Sequence, residues 1–172
     1  MIEFFNIMSA KIKNRHSLKT KDIKKIQEEL ENNFKERFIK DNSKVEVGDL
    51  GEIKLVFIDG SPCFMFQNSK IFFTLQGINK FSLKQNYVVV DMGAVKFVSN
   101  GADVMAPGII DADKNIKEND QVWICDEAHH KPLAIGIAII SGEEMIKNKK
   151  GKAIKTIHYV GDDIWNYVAK SL

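Results

Sequence analysis

Cysteine, long apolar runs and surplus charge are all scarce in this sequence, and each scarcity closes off a class of protein. The two cysteines, Cys63 and Cys125, lie far apart and no secretory pattern accompanies them. They read as small buried hydrophobes in a reducing compartment. The opening residues Met1-Ile2-Glu3-Phe4-Phe5-Asn6-Ile7-Met8 lack a basic leader and a long apolar core, so no signal peptide is expected. They suit a short strand or tail, and Met1 and Met8 both stand as candidate starts. The longest apolar run, Pro132 to Ile140, is too short to span a bilayer. A cytoplasmic protein that makes no membrane contact is expected. Net charge is only +2, which gives no global polyelectrolyte signal. Residues 1–86 carry 15 Lys/Arg against 11 Asp/Glu, and residues 87–172 carry 10 against 12. A polyanion bound by the second half would therefore have to meet a local patch.

Catalytic signatures are missing too. There is no Gly-x-Ser-x-Gly elbow, no dinucleotide fingerprint and no phosphate-gripping G-x-x-x-x-G-K-[ST] loop. Without that loop, Asp126-Glu127-Ala128-His129, which spells the acidic box of one helicase class, reads as a polar turn between two strands. The histidines His16, His129, His130 and His158 form no His-x-x-x-His pair, and no Cys-x-x-Cys exists. A structural zinc site needs four converging ligands, usually in close local pairs, so no metal is expected. Asp162-Asp163 reads as a solvated turn, because adjacent acids rarely aim at one point. No catalytic residue and no cofactor is expected.

What is present is an ordinary folding composition, 44% apolar and 28% charged, which argues against disorder of the whole chain. The length suits one large domain or two small ones. After the basic, polar residues 9–19, Ile23, Ile26, Leu30, Phe34 and Phe38 recur at spacings of three and four. They predict a helix of roughly five turns, capped by Thr20 or Ser17, with Asp22 in its first turn. Lys24 with Glu28 and Lys25 with Glu29 stand at i,i+4 on its other faces. The apolar stripe is expected to pack on a sheet. Val45–Val47 and Ile53–Ile58 read as strands, Asp59-Gly60 as a turn, Pro62–Phe66 as the return strand and Ile71–Thr74 as another short one. Residues 77–86 read as a connection between domains.

From Tyr87 the chain turns strand-rich. Tyr87–Val90, Ala102–Met105, Gln121–Cys125, Leu133–Ile140 and Ile157–Val160 are strand candidates, and Gly93–Ser99 has room for two helical turns. Gly136 amid β-branched residues suggests a bend or a close backbone approach. Ser141-Gly-Glu-Glu144 is a capping box that opens a short helix. Short strands, two short helices and frequent glycines suggest a small, partly closed barrel.

The most informative stretch is Val90 to Ile110. Gly93, Gly101 and Gly108 sit where strand becomes helix, helix becomes strand and strand becomes loop. In a helix opening near Gly93, Val95 and Val98 can face inward, leaving Lys96, Ser99 and Asn100 at a mouth. A charge, two hydrogen-bonding side chains and bare backbone suit a phosphate with an unpaired nucleotide; a structural helix-turn explains the pattern equally well. Lys147, Lys149, Lys150, Lys152 and Lys155 read either as a phosphate-tracking ridge or as a solvated helix end.

Val90-Asp-Met-Gly-Ala-Val-Lys-Phe-Val-Ser-Asn-Gly-Ala-Asp-Val-Met-Ala-Pro-Gly108 resembles the signature of the PUA domain, named for pseudouridine synthases and archaeosine transglycosylases. Ile157-His-Tyr-Val-Gly-Asp-Asp-Ile-Trp165 is similar to the ending of one subgroup, the malignant T-cell-amplified sequence (MCT) translation factors. Arg15-His-Ser-Leu-Lys-Thr20, Glu52–Phe66 and Phe73-Thr-Leu75 resemble the first half of that family. The direct start at Lys11–Arg15 is similar to its archaeal members. The resemblance implies an α+β protein: an N-terminal helix-plus-antiparallel-sheet domain, 9–82, followed by a PUA-type β pseudo-barrel, 87–165. It implies RNA contacts at Gly93, Lys96, Asn100, Gly101, Ala102 and Gly108, to which the lysine ridge adds Lys147 and Lys150. It also implies a non-enzymatic role on the small ribosomal subunit, handling tRNA or rRNA in initiation, reinitiation or recycling. In the eukaryotic family the partner is density-regulated protein, so an initiation-factor-like protein partner is expected. The alternative is an accessory RNA-binding subunit for a tRNA or rRNA modification enzyme.

Overall fold

The computed structural model describes residues 11–171; the tail expected at residues 1–8 and the choice of start lie outside them. The first half contains β1 (Lys13–Ser17), α1 (Thr20–Phe34), β2 (Val45–Leu50), β3 (Ile53–Ile58), β4 (Ser61–Gln67), β5 (Lys70–Phe73) and α2 (Leu75–Phe81). Its strands form one antiparallel sheet in the order β1-β2-β3-β4-β5. Tight turns set the registers. Asp59 (φ 50°) and Gly60 (φ 88°) are both left-handed, as a two-residue hairpin turn between twisted strands requires.

The helix α1 lays Ile26, Leu30 and Phe34 on the sheet as its spacing predicts, and Glu29 Oε1 accepts the Ile71 N–H of β5 (2.9 Å). Two details differ. The helix stops at Phe34, where Lys35 turns left-handed (φ 55°), so Phe38 enters the core from the following loop. Its ring meets Phe73 edge-on at 5.1 Å. Neither Ser17 nor Thr20 caps the start. Lys19 holds the cap position without a side-chain bond, and its carbonyl accepts from Asp22 and Ile23. Lys24–Glu28 and Lys25–Glu29 form no ion pairs among the described residues; Glu29 is turned to β5 instead.

In the first half, two elements fall where none was expected. All five residues of β1 are exposed, so no apolar alternation marks the strand. Arg15 secures it, bonding Glu46 (2.8 Å) while lying 4.0 Å over the Phe57 ring. Most of α2 lies in the segment read as a connection. Thr74 caps it by accepting from Gly77 N–H (3.0 Å), and Gly77 fits against the Cys63 carbonyl, where a Cβ would come within 2.0 Å. Its glycine therefore serves close packing and does not break the helix.

The second half contains β6 (Tyr87–Val90), α3 (Met92–Val98), β7 (Val104–Met105), a 3-10 turn (Ala106–Gly108), β8 (Ile109–Ala112), β9 (Gln121–Asp126), β10 (Pro132–Ala138), α4 (Gly142–Lys147), β11 (Lys152–Tyr159) and α5 (Asp163–Lys170). Six strands curl into one sheet in the order β7-β11-β10-β9-β6-β8, with β6 and β9 parallel. Inside it lie Val88, Val90, Ile109, Ile124, Ala134, Met145 and Ile154. Gly136 sits at a shift of register against β11, where a Cβ would meet Ile154 Cγ2 at 2.4 Å. The capping box of α4 closes with both reciprocal bonds. The architecture is thus α+β, a helix-and-sheet unit followed by a curled half-barrel.

The last helix corrects the reading of Asp162-Asp163 as a solvated turn. Asp162 caps α5 through Trp165 N–H (2.9 Å) and bonds buried His158 Nδ1 (2.6 Å). From α5, Ile164, Trp165 and Tyr167 pack on the core of the first half, as do Ile135, Trp123 and Ile157 from the outer face of the second sheet. Gln121 bridges the halves, its Oε1 accepting the Phe73 N–H (2.5 Å). Cys63 and Cys125 are both buried and unbridged, and burial pushes their thiols up to about 11 and about 12. Among the described residues no helix is long and apolar enough to cross a membrane.

Candidate nucleic-acid interface

The site is built around α3. At its start Asp91 accepts Ala94 N–H (2.8 Å), and Glu127, reaching over from the turn after β9, accepts Met92 N–H (3.1 Å). Two carboxylates thus hold the first turn, and that of Asp91 stands at the exposed Gly93, where a Cβ would lie 3.3 Å from its Oδ1. An anion placed there would meet like charge. Glu127 stands in the Asp126–His129 segment, which is the polar turn its sequence predicts. Asp126 accepts from His129 and Lys131 N–H, and those backbone bonds hold its carboxyl below the usual range.

The other end of α3 is differently shaped, and the acid beside it, Asp103, is paired with Lys152 and accepts Thr156 N–H. Ala102 N–H donates to Phe97 O and Gly101 N–H to Val98 O, both at 3.0 Å, the paired bonds of a Schellman closure. Gly101 is left-handed (φ 84°), and a Cβ there would lie 2.5 Å from the Tyr159 ring. Its glycine is therefore fixed by backbone geometry and by the ring beneath it. Ala102 O accepts from Thr156 Oγ1 (2.9 Å), so this corner is tied to β11. Val98 is buried and Val95 half-buried, as expected. Lys96 and Asn100 project to solvent, with Lys96 Nζ 5.0 Å over the Phe97 ring.

Gly108, on the 3-10 turn, packs under the first turn of α3. Its carbonyl accepts Asp91 N–H (2.9 Å), and a Cβ there would come within 3.1 Å of Ala94 Cβ. The loop from α4 to β11 runs alongside this turn: Gly151 O accepts Ala106 N–H, and Lys149 Nζ donates to Ile109 O, both at 2.9 Å. The fold thus brings Lys149 and Lys150 beside the glycine turn. The five lysines are not one helix end, since Lys152 and Lys155 belong to β11. Lys147 pairs at 3.8 Å with Glu143 and Lys152 at 2.8 Å with Asp103, whose carboxyl that lysine holds below the usual range. Lys150, Lys155 and Lys96 make no ion pair among the described residues.

One feature of the mouth is not anticipated from the sequence. Of the five large apolar residues that stand exposed among the described residues, Met92 (51%), Phe97 (57%), Met105 (48%) and Ile110 (46%) all belong to the segment 92–110. Four exposed apolar side chains within one segment suit a contact surface better than scattered exposure. The spacing does carry a signal for it. If Val95 and Val98 face inward on a short helix, Phe97 between them must face out.

The second half matches the family model described as the PUA domain over residues 86–160, and residues 14–81 match one described as a domain of unknown function. The chain is a PUA-domain protein. It is 47% identical to an uncharacterized protein of Methanocaldococcus jannaschii over 158 residues, 91% of this chain and 98% of that one. It is 33% identical to translation machinery-associated protein 20 of Saccharomyces cerevisiae over 122 residues, 67% of each. A crystal structure of a hypothetical protein from Pyrococcus horikoshii superposes with a TM-score of 0.79 at 37% identity, covering 88% of this chain and 97% of that one. The chain belongs to the family of translation machinery-associated protein 20 and malignant T-cell-amplified sequence 1, the latter 30% identical in rat over 66% of this chain and 65% of that one.

Proposed function

We propose that this protein binds RNA at the mouth formed by α3, the 3-10 turn and the loop after α4. It does so on the small ribosomal subunit, where it contacts tRNA or rRNA during initiation, reinitiation or recycling. The observation that carries the reading is the juxtaposition of cations that make no ion pair among the described residues with exposed apolar side chains. Lys96 and Lys150 offer phosphate contacts, Asn100 a hydrogen-bonding group, and Phe97, Met105 and Ile110 surfaces on which unstacked bases can rest. Gly101, Ala102 and Gly108 shape the mouth and let a strand approach the backbone, while Gly93 and Lys147 lie at its acid-flanked margins. Membership in a family whose yeast relative is named for the translation machinery supports the ribosomal setting. The protein acts as a cytoplasmic adaptor and not as an enzyme, with an initiation-factor-like protein as its partner, and its domains are 9–82 and 87–165.

Sucrose-gradient co-sedimentation tests the setting. The intact protein should travel with small subunits at low salt and be released as salt rises, because phosphate contacts are salt-sensitive. Folded protein that stays at the top of the gradient at low salt would overturn the reading. Recovery of an RNA-modification enzyme in place of ribosomal proteins in a pull-down would replace it with an accessory role in modification.

A further inference from the structure

A second recess lies along the outer side of the β6–β9 pair, on the face of the curled sheet that turns away from its own core. Along the parallel pair of β6 and β9, Val88 and Ile124 face the interior, while Tyr87 pairs with Trp123 and Val89 with Cys125 on the outer side. Asp111 of β8 is the register partner of Val89. These residues line a cavity of about 410 Å³, within the range of small-ligand sites. Two exposed cationic or protonatable side chains stand at it, Lys84 from the connection after α2 and His130 from the turn after β9.

The walls are fixed. Trp123 packs on the core of the first half and donates its indole N–H to Gln85 O (2.9 Å), which sets the plane of its ring. Tyr87 is half-buried, and its carbonyl accepts Asp113 N–H (2.9 Å). Asp111 uses one carboxylate oxygen on the N–H of Ala112 (2.9 Å), and its other oxygen accepts no hydrogen bond among the described residues. Two neighbouring aromatic rings form a platform for a flat ring. A carboxylate beside them accepts from ring or amino N–H groups. Lys84 and His130 supply charge for an anion. A flat ring that carries N–H donors and is linked to a phosphate is a nucleotide. We propose that this cavity binds the base and phosphate of one unpaired nucleotide, free or presented by an RNA strand. The site shares no residue with the mouth at α3.

The test uses Trp123 as its reporter. Trp165 is the one other tryptophan, so the W165F protein reports on the cavity alone. It is titrated with AMP, GMP, CMP and UMP, with the nucleosides, with orthophosphate, and with single-stranded oligonucleotides of each base. Nucleotides should quench the fluorescence saturably, amino-bearing bases better than uracil, and orthophosphate should not. Tyr87→Ala should weaken binding by about tenfold or more, the scale of removing one base–aromatic stack, and Tyr87→Phe should restore it. Lys84→Ala, at an exposed position, should weaken nucleotides but not nucleosides, and it carries the test should Tyr87→Ala not fold. Saturation by mononucleotides assigns the site to free nucleotides, and saturation by oligonucleotides alone assigns it to RNA. The proposal is overturned by no saturable quenching at millimolar concentrations, by orthophosphate quenching equally well, or by folded Tyr87→Ala and Lys84→Ala proteins that bind like their parent.

Discussion

Lys96, Asn100 and Gly101 are neighbours on one helix end but do different work. Lys96 and Asn100 are exposed, so their loss leaves the fold intact. The double variant Lys96→Ala/Asn100→Ala should bind RNA about tenfold or more weakly. Its slope of log affinity against log salt should flatten by about one, because a single lysine no longer neutralises a phosphate. Equal affinity and slope in a fluorescence titration would move the site elsewhere. Gly101 behaves in the opposite way. Its left-handed backbone and the Tyr159 ring both exclude a Cβ, so Gly101→Ala should cost about 2 kcal/mol or more in urea unfolding. The dipeptide Asn100-Gly101 marks a turn in the sequence, and the turn is there. The reason for its glycine is helix closure over Tyr159, a long-range fact that local spacing does not contain.

At the scale of elements, what was legible followed amphipathicity. The stripe on α1, the hairpin through Asp59-Gly60, the capping box of α4 and the bend at Gly136 all declared themselves, because each rests on local periodicity or turn chemistry. What was missed lacked that signal: β1 is exposed at every residue, and α2 carries a glycine that looks like a breaker until Cys63 is placed beside it. The start of α5 was hidden because Asp162 and Asp163 look alike in sequence, whereas only Asp162 caps the helix and meets His158. Burial alone would push the Asp162 carboxyl up. The hydrogen bond and charge of His158, with the N–H groups of Trp165 and Tyr159, outweigh it and hold the group below its ordinary value. A carboxyl depressed on folding stabilises above its unfolded value of about 3.9, and that contribution is lost as pH falls through the folded value. Asp162→Ala should therefore cost ~1–3 kcal/mol near neutral pH. The gap between variant and parent in denaturant melts should close below about pH 4. A gap that stays constant into acid would show that the charge plays no part.

In the whole molecule the halves share one seam. The outer face of the second sheet and α5 pack on the first core, and Gln121 ties across to β5. The mouth at α3 draws its residues from 91–110 and the loop after α4. The slight net acidity of the second half averages over its surface, so a polyanion partner would have to meet a local patch, and the proposed mouth supplies one. The acids near the mouth are committed: Asp91 and Glu127 to the start of α3, Asp103 to Lys152. Lys96, Lys150 and Lys155 remain without ion pairs among the described residues. Crosslinking RNA to the protein in cells, with both partners of each crosslink identified, tests RNA binding at this mouth most directly. Crosslinks are expected from Phe97, Asn100 or their neighbours in the 92–110 segment and from the lysine loop at 147–155, joined to tRNA or small-subunit rRNA. Crosslinks confined to the exposed strand β1, or RNA recovered from neither source, would contradict it.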